Sequence, residues 1–133
     1  LPLSEIDRVR KIYKFLRENV LHSEWNRFAC SFALGLVAFG LLQKQKSHQH
    51  NEASKEIVNE IRDDLLNKLK TRTPENDTKE ILGVCLGLCF VATAESDSQK
   101  NLSLFHSLRD YLHTNQNETK TIFLSGICLA FSS

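Results

Sequence analysis

Four cysteines, five histidines and a few close carboxylates are the residues that could do chemistry in this chain, and their spacing limits what that chemistry is. Cys85 and Cys89 stand one helical turn apart, while Cys30 and Cys128 lie in other apolar runs. A tetrahedral zinc site draws on CxxC or Cys/His pairs at short spacing, and none accompanies them. The cysteines are therefore expected to be buried free thiols, behaving as small apolar side chains in a reducing intracellular compartment. His48 and His50 form an HxH pair without a third ligand, and His106 and His113, seven apart on one face, are expected as surface or boundary histidines. Asp63 and Asp64 are adjacent, but consecutive helical residues point about 100° apart and do not converge on one substrate atom. Both are expected on the surface.

Nucleotide and hydrolase signatures are missing: there is no GxxxxGK[ST] loop, GxSxG elbow or HExxH helix. Ser125-Gly126 and the glycine pairs sit in apolar helical context, not between strand and helix where phosphate cradles form. The expectation is a protein without catalytic, cofactor-binding or metal-binding residues. Asn76, Asn101 and Asn117 head NxS/T sequons, and Asn76 and Asn117 stand where helices should start, so capping explains them without glycosylation.

At 133 residues the chain is long enough for one domain with a core. Its 17 basic and 16 acidic side chains leave a net charge of +1, so no whole-molecule field draws it to nucleic acid or anionic lipid. Met is absent and the chain stops on an apolar run, which reads as a segment excised from a longer polypeptide. The apolar stretches 28–42 and 81–94 fall short of the roughly 20 residues that cross a bilayer, so they are expected as core helices and not membrane spans.

The elements follow from periodicity. Ser4 is the expected N-cap of a first helix whose apolar stripe is Ile6, Val9, Ile12, Tyr13, Leu16 and Val20. Its other side is basic, and Arg10, Lys14 and Arg17, with Lys11, are candidate partner contacts, against the plainer reading of a solvated face. After a turn at His22 and Ser23, a second helix over about 24–42 carries Trp25, Phe28, Phe32 and Phe39 on one side. These aromatics fit either helix packing or a groove for a partner peptide; Trp25, Phe28 and Phe32 are the candidates. Residues 43–54 are polar and are expected as the longest loop. A third helix over 55–70 should bury Ile57, Ile61, Leu65 and Leu69 and expose Glu56, Glu60, Arg62, Asp63 and Lys68. Asp77 and Glu80 form a capping box for the fourth helix, and a fifth over 99–113 buries Leu104 or Phe105, Leu108 and Leu112. A sixth runs from near Asn117 to the end.

The fourth helix is uncharged over residues 81–93, with Gly83 and Gly87 one turn apart. Glycine costs a helix about 0.5–1 kcal/mol relative to alanine, so this face is expected to be a notch that a neighbouring helix fills. Gly35 and Gly40 in the second helix are expected where close approach or a bend helps, and Gly126 in the sixth.

NDTKEILGVCLGLCF from Asn76 and NETKTIFLSGICLAF from Asn117 agree at six positions with a shift of 41, and Leu65 and Leu69 answer to Leu108 and Leu112. Leu34-Gly35-Leu36 matches Leu86-Gly87-Leu88 at a shift of 52. Helical hairpins recurring at this interval suit the HEAT or armadillo class. The expected fold is all-α: three antiparallel hairpins, about 4–42, 55–94 and 98–133, stacked as a HEAT/ARM-like right-handed solenoid.

The Ile81-Leu82-Gly83-Val84 run with Leu86 and Leu88, the ESDSQ break and the NLSLFHSLRDYL helix resemble the helical-repeat region of the focadhesin family over residues 28–133. The resemblance implies a cytoplasmic scaffold linked to the superkiller RNA-decay complex and to focal adhesions. The functional expectation is a non-catalytic protein–protein interaction segment. Its alternative is a compact helical bundle that binds a lipid or other small apolar ligand in its interior.

Overall fold

The computed structural model describes residues 3–18, 23–46, 52–72 and 77–114; these form five α-helices and their short links, with no strand among the described residues. The helices are α1 (Leu3–Glu18), α2 (Glu24–Lys46), α3 (Glu52–Thr71), α4 (Thr78–Ala94) and α5 (Ser98–Thr114). The all-α class is as expected. The sixth helix, with Gly126 and Cys128, lies outside the described residues, as do Val20, His48, His50, Asn76 and Asn117.

Local signals account for most helix starts. Ser23 Oγ accepts from the Asn26 amide at 3.0 Å and opens α2. Asp77 accepts from the Glu80 amide at 3.3 Å and opens α4. Asp97 accepts from the Gln99 and Lys100 amides at 3.0 and 3.3 Å and opens α5. Each satisfies an amide that the first turn leaves unpaired. α1 already begins at Leu3, so Ser4 lies inside the helix and is not its cap.

The polar stretch 43–54 is not one long loop: residues 43–46 continue α2 and 52–54 open α3. Gln and Lys are good helix formers, so loss of an apolar face there does not end the helix. Over Glu24–Gln45, α2 is long and apolar enough, by length and composition, to cross a membrane. In this fold it buries Leu34, Ala38, Leu41 and Leu42 in the core instead.

α3 places Ile57, Ile61, Leu65 and Leu69 in the core at 3% exposure or less. α1 contributes Ile6 and Tyr13, with Val9 and Leu16 packed partly against them, whereas Ile12 is 50% exposed because it lies one step off that stripe. In α5, Leu104, Leu108 and Tyr111 are buried and Phe105 stays exposed, which resolves the choice between Leu104 and Phe105.

Contacts give the helix directions. Arg10 on α1 reaches Glu56 on α3 at 3.8 Å, and further along Tyr13 donates to Asp64 at 2.7 Å, so α1 and α3 run parallel. α2 and α4 are parallel too, since Arg27 meets Asp77, Phe28 meets Gly83 and Gly35 meets Gly87. α3 and α4 are antiparallel: Arg62 pairs with Glu95 and Arg72 with Glu80 at 3.2 Å. α1, α3 and α5 touch in one row, α2 and α4 in another, and each helix also packs on its chain neighbour.

Candidate interaction surface

Among the described helices, α2 and α4 form the closest-packed seam. A Cβ added at Gly35 would lie 2.7 Å from the Gly87 carbonyl carbon, and one at Gly87 would lie 2.9 Å from the Ser31 carbonyl oxygen. At Gly83 it would run into the Phe28 backbone, 3.0 Å from its Cα. Only glycine lets the two backbones meet at these points. Gly40 belongs to a different environment: no atom lies within 4 Å of its would-be Cβ, so it serves no close approach.

The outer rim of this seam is sealed by aromatic rings. Trp25 and Phe28 meet edge to face at 5.9 Å, Phe28 stacks on Phe32 at 6.0 Å, and Phe32 and Phe39 both meet Phe90 edge to face, at 5.6 and 5.7 Å. Phe28, Phe32 and Phe39 are half-buried in this packing, while Trp25 is 62% exposed. Lys79 lies 4.7 Å over the Trp25 ring and 3.1 Å from Glu24, which holds the indole against the start of α4. Phe90 ties the row together. It lies within the uniformly apolar run of α4, where periodicity does not mark a facing side.

Among the basic candidates on α1, Arg10 pairs with Glu56 at 3.8 Å and Arg17 with Asp64 at 3.6 Å. Lys14 pairs with Glu18 at 4.0 Å. Arg10 and Arg17 thus bind α1 to α3. Asp64 is half-buried, taking the Tyr13 hydroxyl proton donor as well as Arg17, while Asp63 is exposed. Burial, followed by this hydrogen bond, raises the Tyr13 phenol above its ordinary range.

A charged junction lies where α2 begins, α3 ends and α4 begins. Asp77 accepts from Arg27 Nε at 2.5 Å; Glu80, fully buried, has Arg72 Nε at 3.2 Å and Arg27 Nε at 3.8 Å. Only half of a capping box forms, because the Glu80 carboxylate turns to these arginines. Burial raises the Glu80 carboxyl above the ordinary glutamate range, helped by the neighbouring Asp77 carboxyl and opposed by Arg72 and Lys68. Lys68, also expected on the surface, is half-buried and shifted down by burial.

At the far end of the same hairpin Arg62 is only 7% exposed and pairs with Glu95, Asn59 accepting from its Nη1 at 2.7 Å. Its expected exposure is thus corrected: one turn before Leu65, α3 faces α4 closely enough to enclose it. Polar type hid this from the sequence; the only hint was a carboxylate at the α4 end.

Cys30, Cys85 and Cys89 are buried free thiols, and burial pushes the Cys85 thiol up to about 12, away from the thiolate that reacts or binds metal. No group of three His, Cys, Asp or Glu side chains among the described residues is placed to hold a metal ion. The site is a set of helix faces, with charge used to join them. Comparisons with protein families, with curated proteins and with solved structures find no match.

Proposed function

We propose that the chain is a non-catalytic protein–protein interaction scaffold, its hairpins stacked as a HEAT/ARM-like right-handed solenoid. The observation that carries this reading is the helix order: neighbours in sequence pair, α3 with α4 antiparallel, while α1 with α3 and α2 with α4 run parallel. Stacked hairpins generate this arrangement, since each unit covers the apolar side of the one before. Burial supports a correspondence between hairpins two residues from the Leu34/Leu86 alignment: Leu34 answers to Leu88, Ser31 to Cys85 and Ala38 to Ala92, all at 2% exposure or less.

The resemblance to focadhesin-type repeats adds a cytoplasmic setting and partners among superkiller or adhesion proteins. Affinity purification with the chain as bait, followed by cross-linking, tests the reading. The expected result is one defined protein complex cross-linked through exposed lysines such as Lys11, Lys14 and Lys100. Recovery of no complex, with a lipid retained in the native mass spectrum, would favour the apolar-ligand bundle instead.

A further inference from the structure

We draw no further inference here: the strongest candidate, the apolar groove between Val9 and Ile12 of α1 and Leu36, Val37 and Gly40 of α2, is an unpartnered face, and nothing in the structure shows what covers it.

Discussion

A methyl group on Gly35 would lie 2.7 Å from the Gly87 carbonyl carbon, whereas one on Gly40 meets no atom within 4 Å. Both residues are in α2, so both gain the same helix propensity from alanine, about 0.5–1 kcal/mol. Gly40→Ala is therefore expected to raise the unfolding free energy by about that amount. Gly35→Ala is expected to lower it by about 1–3 kcal/mol, because two helix backbones must separate to admit the methyl group. Urea unfolding of the two variants checks the pair, and a stabilised Gly35→Ala would mean that the seam is not in backbone contact. The notch on α4 is legible in the sequence, since Gly83 and Gly87 stand one turn apart in an uncharged run. That Gly35 fills it and Gly40 does not is a fact of long-range pairing, which spacing along one helix does not contain.

The junction of three helix ends at Glu80 sets a pH dependence whose sign follows from burial. The folded state holds the Glu80 proton more tightly than the unfolded chain, because burial outweighs the attraction of Arg72 and Lys68. For a group whose folded pKa is raised, the stabilisation is fully present below the unfolded value and is lost as pH rises through the folded one. Glu80→Gln keeps the shape and cannot ionise. The stability of the wild type relative to Glu80→Gln is thus expected to be greatest at acid pH and to decline on passing up through the glutamate range. Chemical denaturation at a series of pH values measures it. A difference that grows with pH would show the ion pairs with Arg72 and Arg27 to be the stronger effect. Elements rich in periodic apolar residues, such as α3 with Ile57, Ile61, Leu65 and Leu69, are visible from pattern alone. The ends are not: Lys46 and Glu52 extend helices through polar residues, and Arg62 and Glu80 are buried because an opposite charge from another element meets them.

Unequal burial among the helices sets how the described part of the molecule opens. α4 buries eleven of its seventeen residues, whereas Ile6 and Tyr13 are the only buried ones among the described side chains of α1. α1 is held to α3 by the Tyr13–Asp64 hydrogen bond and by the Arg10–Glu56 and Arg17–Asp64 ion pairs, whose arginines are half-exposed or more. Exposed pairs of this kind are each worth about 0–1 kcal/mol. In a stack where stability is the sum of units and nearest-neighbour seams, an end helix can detach while the middle stays folded. Native-state hydrogen exchange is therefore expected to show α1 amides opening at least about 1.4 kcal/mol more easily, tenfold in rate, than those of α4 and of α2 around Leu34 and Ala38. Equal protection of α1 and α4 would describe a molecule that opens as one closed unit, and the nearest-neighbour stack would have to be given up.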